Sequence, residues 1–181
     1  MFRRRAQRLF RGMGKPAVAP ILQRANQLMA AGEYENAAIA FKDLAQRAED
    51  RFPQRAPILY MEAGRAAILS GQTKIGVAHL RRGLTILAAQ GRFARMQAFG
   101  LRAGEELKSH KLNAESEEIA SLLSGNLPKE FPTEQPSIAK RPILPTHCRS
   151  CGAAVRPNEI EWFDEITAEC DYCGSPVRGN S

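Results

Sequence analysis

The chain has no long apolar run and no recognisable export segment. Across its 181 residues, no stretch approaches the roughly 20 consecutive apolar residues that a transmembrane helix needs. The N-terminus is charged but lacks the apolar core of a secretory signal. A membrane-spanning protein and an exported, disulfide-bonded protein are therefore not expected, and the sequence indicates a cytoplasmic location.

The sequence also lacks a catalytic constellation. The glycine-containing stretch Arg11–Lys15 does not have the spacing of a phosphate-binding loop, and no apolar strand precedes it. There is no nucleophile elbow, and the histidines His79, His110 and His147 are scattered along the chain. We therefore expect a protein that is not an enzyme and that takes no small-molecule substrate.

Cysteine is scarce, and all four cysteines fall into one pattern. Cys148 and Cys151 form one Cys-x-x-Cys pair, Cys170 and Cys173 form another, and the stretch 152–169 separates the pairs. Two such pairs at this spacing are typical of a structural zinc site with four thiolate ligands. Disulfides, a redox dithiol and chance are the alternatives, and His147 is an alternative ligand. The pattern predicts one structural Zn²⁺ per chain with no coordination position left for water.

The segment between the cysteine pairs alternates in hydrophobicity, as a small β-unit does. Ile160, Trp162, Ile166 and Ala168 share one parity, and glutamates recur on the other. With its two cysteine pairs, the stretch from about residue 147 to 178 resembles a zinc ribbon with rubredoxin-type knuckles. The resemblance implies a fold that depends on the metal, because so small a unit buries little apolar surface.

Residues 18–124 have the apolar periodicity of helices, and the pattern repeats at a constant spacing. In each copy the fourth position is bulky and apolar and the eighth is small, which suits closely packed helix pairs. The copies begin at Val18, Pro57 and Met96; the fourth positions are Ile21, Tyr60 and Phe99; the eighth are Ala25, Gly64 and Ala103; and turns follow at Gly32, Gly71 and His110. The pattern predicts a mainly α domain of three antiparallel helix pairs.

The first copy contains a more specific motif. Residues 31–41 read AGEYENAAIAF, with Gly, Tyr, Ala and Phe in the register of a tetratricopeptide repeat. The second copy keeps the turn around Ser70–Gln72, and the third is more divergent. The domain therefore resembles a tetratricopeptide-like solenoid. A generic six-helix antiparallel bundle is the alternative.

This resemblance implies a peptide-binding groove on the concave face, which the first helix of each pair lines. The matching positions in the first two copies include Asn26, Met29, Met61 and Arg65. Asn26 and Arg65 are expected to hold a peptide backbone or carboxylate between apolar neighbours. The alternative for each apolar residue is a place in the core.

A proline-rich segment separates the helices from the cysteine pairs. Five prolines between residues 125 and 146 block helix and strand interiors, so an extended linker is expected there. Docking of this segment on the helices is the alternative. Because a linker of this kind decouples two modules, loss of a metal ligand is expected to leave the helices intact.

The N-terminal stretch 1–17 carries six basic and no acidic side chains, which is most of the formal net charge of +7. Its apolar and basic residues follow helical spacing and predict an amphipathic arm that contacts an anionic membrane surface. The residues of this surface are Phe2, Arg3, Arg4, Arg5, Arg8, Leu9, Phe10 and Arg11. Nucleic acid, an acidic protein and a solvated tail without a partner are the alternatives.

Four regions are therefore predicted: an arm (1–17), a helical repeat domain (18–124), a linker (125–146) and a zinc ribbon (147–181). The expected function is a non-enzymatic adaptor or assembly subunit that binds a protein partner in a bacterial cytoplasm, with peripheral contact at the inner membrane surface. A nucleic-acid-binding accessory protein is the alternative. The ribbon counts against it, because residues 147–181 carry three basic and six acidic residues.

Overall fold

The computed structural model describes residues 18–128, 142–157, 160–162 and 164–179, without the side chains of residues 18 and 19. In these ranges the chain forms six helices and then a three-stranded sheet. The helices are α1 (Val18–Ala30), α2 (Tyr34–Arg51), α3 (Ala56–Leu69), α4 (Thr73–Ala89), α5 (Phe93–Ser109) and α6 (Asn113–Asn126). The strands are β1 (Glu161–Trp162), β2 (Thr167–Glu169) and β3 (Pro176–Arg178).

The helices pack as adjacent antiparallel pairs, so the predicted fold class is confirmed: mainly α, with a small C-terminal sheet that carries the cysteines. Most junctions between these helices are closed by the same hydrogen-bond pattern. At the end of α1, Gly32 has a φ of 77° and donates its N–H to the Met29 carbonyl, while Glu33 donates to the Leu28 carbonyl. This is a Schellman motif, which turns the chain back within a few residues.

The same motif recurs after α3, α4 and α5. Gly71 and Gly91 supply the left-handed residue at the first two of these turns, with φ values of 84° and 68°. After α5 the helix ends at Ser109, and the left-handed residue is Lys111 with a φ of 62°. The third predicted turn is therefore present, although its left-handed position is held by a lysine, whose Cβ makes this conformation less favourable than it is for glycine.

Bulky and small positions of the repeat meet in the helical core. Tyr60 and Phe99 are buried at the fourth position, and Ala25 and Ala103 are buried at the eighth. Ile21 departs from the pattern, because 43% of its side chain is exposed. It belongs to the first helix pair, where no described helix precedes it.

The C-terminal sheet is antiparallel with strand order β1-β2-β3. Trp162 pairs with Ala168, and Ala168 pairs with Val177 on the other side. The turn between β1 and β2 is held by Asp164, whose carboxylate accepts the backbone N–H groups of Ile166 and Thr167. These two bonds lower the pKa of Asp164 and fix the turn of the hairpin.

Two predicted regions lie wholly or largely outside the described residues. The arm (1–17) is one, and residues 129–141 of the linker are the other. At the edges of that linker α6 runs to Asn126, and Leu144 is already buried in the core. None of the helices that the structure describes is long and apolar enough to cross a membrane.

Candidate metal centre

The two Cys-x-x-Cys pairs form two loops with the same backbone hydrogen bonds. In the first loop, Gly152 donates its N–H to the Cys148 carbonyl at 2.8 Å, and Cys148 donates to Ala153 at 2.8 Å. In the second, Gly174 donates to Cys170 at 2.8 Å, and Cys170 donates to Ser175 at 2.9 Å. We call these loops, residues 148–153 and 170–175, the first and second knuckle.

Each knuckle needs a glycine after its second cysteine. Gly152 and Gly174 have φ values of 76° and 71°, a region that residues with a Cβ rarely adopt. This left-handed turn reverses the chain immediately behind the second sulfur. Both sulfurs of a pair then point into the space between the two knuckles.

The four sulfurs meet at the distances that a tetrahedral metal site requires. All four are buried, and their Sγ atoms lie within 4.8 Å of one another. The Sγ atoms of Cys148 and Cys173 are 3.7 Å apart, as are those of Cys151 and Cys170. Four sulfurs at about 2.3 Å from a central Zn²⁺ lie about 3.8 Å from one another, whereas a disulfide requires about 2.05 Å. The donor set therefore fits one zinc ion.

The electrostatics of the cluster also favour a cation. The three neighbouring sulfurs, and then burial, raise the pKa of the Cys170 thiol, while hydrogen bonds from its neighbours lower that of Cys148. Four buried thiols this close together cannot all ionise side by side without a cation. A bound dication removes this conflict, because it stabilises all four thiolates together.

The first knuckle is held against α1 by two side-chain amides. Gln23 donates to the Ser150 carbonyl at 2.7 Å, and Asn26 donates to the Cys151 carbonyl at 3.0 Å. Ser150 lies between the two cysteines of the pair. The backbone that orients two metal ligands is therefore also the backbone that α1 binds.

The second knuckle is tied to α3 through a buried carboxylate. The Tyr172 hydroxyl donates to Glu62 at 2.8 Å, and Glu62 is only 5% exposed. Arg65 and Arg156 approach the same carboxylate at 3.8 Å each. Burial, and then the Glu62 charge, raise the pKa of Tyr172 well above its usual value, so the phenol remains a hydrogen-bond donor.

Ion pairs complete this interface along one side of the ribbon. Arg95 pairs with Asp171 and with Glu161, and Arg92 donates to Glu161 at 2.6 Å. Although burial opposes ionisation, the two arginines hold the pKa of Glu161 below its usual value. Arg55 lies 3.8 Å from Glu169. The acidic residues of the ribbon are thus matched by arginines at the start of α5 and in the segment before α3.

The ribbon is therefore packed on the helices rather than separated from them. Buried apolar residues of both parts, such as Leu22 and Val177, belong to one contiguous cluster. This differs from the expectation that a proline-rich linker decouples the two modules. Proline blocks regular structure within the linker, but it does not prevent the segment after it from returning to the helices.

The structure places the predicted groove residues around this interface. Asn26 binds the first knuckle, and Arg65 donates to Glu106 at 2.7 Å. Met61 is 2% exposed and lies in the helical core, where it is not available to a ligand. Met29 is half-buried and lines a cavity of about 250 Å³ between α1, α3 and the ribbon. Asn26, Arg65 and the ribbon residue Arg156 line the same cavity.

Several interface residues had no prediction from sequence. Gln23, Glu62 and Arg95 each contact the ribbon, but none belongs to a motif. Glu62 alone had a signal, since it is the only acidic residue in helix α3, where the other charged residue is Arg65. A buried carboxylate in so apolar a helix has to be paired.

His147, the alternative ligand, lies outside the sulfur cluster. Its ring nitrogen Nδ1 is 3.1 Å from the Thr146 hydroxyl, and the side chain is exposed. Among the residues that the structure describes, the group able to hold a metal consists of the four cysteines.

Comparison of the chain with protein-family models, with curated proteins and with solved structures found no match in any of the three.

Proposed function

We propose that the protein is a non-enzymatic adaptor in which a structural zinc ion holds the ribbon against a tetratricopeptide-like helical domain. The observation that carries the proposal is the cluster of four buried sulfurs at tetrahedral spacing. Four thiolates fill the coordination sphere of Zn²⁺, so the metal has no open position for a substrate or a reactive water.

The helical repeats support an interaction role. Paired helices joined by short turns form extended surfaces that bind other proteins, and here the ribbon covers part of that surface. The cavity beside Met29 and Arg65 remains open between the helices and the ribbon. We place the peptide site there, with Met29 as its apolar contact and the arginines as its polar ones.

Metal analysis tests the zinc part of this proposal. The purified protein should contain one zinc per chain, and X-ray absorption should give a shell of four sulfur ligands. Protein with free thiols and no metal after expression with zinc would contradict it. A shell that includes nitrogen would instead bring His147 into the site.

Selection from a displayed peptide library tests the adaptor part. The zinc-loaded protein should enrich a peptide family, and Met29→Glu should abolish its binding without loss of zinc. Leu101→Glu is the matched control, because Leu101 is an exposed apolar residue of α5 outside the cavity lining. Peptides that bind both variants equally would move the partner surface elsewhere, and the zinc analysis would still stand by itself.

A further inference from the structure

A groove lies on the outer side of the first helix pair, away from the ribbon. It has a volume of about 430 Å³ and runs between α1 and α2. Ile21 and Leu28 line it from α1, and Ile39 and Asp43 line it from α2. Ile21 and Ile39 are 43% and 55% exposed, which leaves an apolar strip at the N-terminal end of the repeat array. Terminal repeats of such arrays normally cover this side.

The internal repeat shows what covers the equivalent groove of the second pair. At the repeat spacing, Ile21 corresponds to Tyr60 and Asp43 corresponds to Arg82. Both of these side chains contact α2: Tyr60 donates to Glu49 at 2.5 Å, and Arg82 forms an ion pair with Glu49. In the second pair, therefore, the second helix of the preceding pair occupies this position.

The first residues of the chain match that helix in sequence. At the same repeat spacing, Phe2–Arg8 (FRRRAQR) aligns with Phe41–Arg47 (FKDLAQR), and four of the seven positions are identical. Two of the four, Phe41 and Ala45, are buried in α2. The alignment has no gap from residue 2 through the start of α1, so the connection between the segments is as long as the one between α2 and α3.

The residues that make the contact between α2 and the second helix pair differ together at the equivalent positions of the N-terminal segment and the first helix pair. The position of Glu49 in α2 is taken by Phe10, and its partners Tyr60 and Arg82 are replaced by Ile21 and Asp43. In sequence, an acidic residue whose partners are a hydroxyl and an arginine is thus replaced by a phenylalanine, with an isoleucine and an aspartate at the two partner positions. Asp43 and Glu33 line the groove together with Arg24 and Arg47, so the acidic and basic side chains of its lining balance. The match between groove and segment therefore rests on the apolar positions.

We propose that this groove is the docking site of residues 2–13, which pack there as the second helix of a preceding repeat. Phe2, Ala6 and Leu9 correspond to the buried α2 residues Phe41, Ala45 and Ala48. Arg3, Arg4, Arg8 and Arg11 correspond to exposed positions of α2, whereas Arg5 corresponds to the buried Leu44. Contact with a membrane through Phe2, Leu9 and Phe10 is the competing outcome.

Amide hydrogen exchange on the full chain without lipid tests the proposal. Residues 4–11 should exchange at least about 10-fold more slowly than an unstructured segment. Ile21→Asp should abolish this protection, whereas Leu101→Asp, which also places a charge at a half-exposed apolar site of a helix, should retain it. Unprotected exchange in the parent protein, or protection that survives Ile21→Asp, would overturn the proposal.

Two further measurements keep the test decisive. Phe10→Asp should also release the segment. Because this substitution leaves the groove unchanged, it tests docking even if Ile21→Asp perturbs α1. Vesicles of phosphatidylserine and phosphatidylcholine should bind the Phe2- and Leu9-bearing segment better in Ile21→Asp than in the parent, because release exposes its apolar side. Equal and tight binding of both proteins would assign the segment to the membrane and contradict docking.

Discussion

Glu62 is the residue on which the contact between the second knuckle and α3 depends. A carboxylate that is 5% exposed is costly to bury unless its oxygens are satisfied. The Tyr172 hydroxyl supplies the hydrogen bond, and Arg65 and Arg156 supply compensating charge. The cost of breaking this arrangement therefore exceeds that of an ordinary surface contact.

Tyr172→Phe tests this contact by removing the hydroxyl alone. The variant should lose about 1–3 kcal/mol of unfolding free energy, since a buried carboxylate loses its donor. Urea unfolding in the presence of zinc measures the loss. Tyr34→Phe, at a half-buried position in the first turn of α2, should change stability by less than about 0.5 kcal/mol. Equal effects of the two substitutions would refute the assigned role.

Tyr60 provides a pH-dependent test at the junction of α2 and α3. Burial, and then the hydrogen bond donated to Glu49, raise the pKa of Tyr60 to about 12. A folded-state pKa above the unfolded value of about 10 favours the neutral phenol in the folded protein. Its contribution to stability is complete below about pH 10 and is lost as the pH rises toward 12.

Ultraviolet absorbance of tyrosinate measures this directly. The difference between the parent and Tyr60→Phe should titrate near pH 12, and the stability advantage of the parent should decline from about pH 10 upward. A difference curve centred near pH 10 would mean that Tyr60 is solvated and that its bond to Glu49 does not form.

At the scale of elements, the crossing of α3 and α4 depends on close backbone approach. A Cβ at Gly64 would lie 2.8 Å from the Gly76 carbonyl oxygen and 2.9 Å from Leu80. The glycines thus let two helices approach where alanine would not fit. The eighth position of each repeat is small, and the structure explains why this position is glycine rather than alanine in the second copy.

Gly64→Ala should destabilise the protein by about 1–3 kcal/mol, because the backbone oxygen of Gly76 cannot move away cheaply. Gly104→Ala is the matched control, also within a helix, where the nearest atom to the new methyl group is the Ser116 hydroxyl at 3.4 Å. That substitution should be neutral or slightly stabilising because alanine favours helix. Thermal unfolding of both variants separates the effects, and a Gly64→Ala variant as stable as the parent would show that the crossing is loose.

Elements were predictable from sequence where local chemistry determines them. Glycine marked the turns after α1 and α3, and the cysteine spacing predicted both knuckles. The third strand, Pro176–Arg178, follows the second knuckle and is too short for periodicity to reveal. Ile21 was expected in the core as the equivalent of Tyr60, but burial there depends on a helix that precedes the pair.

At the scale of the whole molecule, the metal site and the helical domain share their contacts. The knuckle backbone that positions the sulfurs accepts hydrogen bonds from Gln23 and Asn26, and the loop of the second knuckle carries Tyr172 and Asp171 to the helices. Sequence patterns did not predict this docking, because its hydrogen bonds join residues that lie far apart along the chain. Such pairs leave no local periodicity.

The coupling means that zinc should stabilise helices that it does not touch. Zinc binds the four thiolates only when the ribbon is folded, so its binding stabilises the folded ribbon. Because the ribbon folds against α1, α3 and α5, these helices are stabilised with it. Cys170→Ser should therefore lower the melting temperature of the helical domain as well as unfold the ribbon. Circular dichroism at the helical band measures this, and an unchanged helical melting curve would mean independent modules.

The most direct test of the account is amide hydrogen exchange of the full chain with zinc and after removal of zinc by a chelator. Helices α1 and α3 should exchange about 10-fold faster or more without the metal around Gln23, Asn26 and Glu62. Helix α6, at the far end of the array, serves as the internal control and should change little. Exchange in α1 and α3 that does not depend on zinc would contradict a metal-held interface between ribbon and helices.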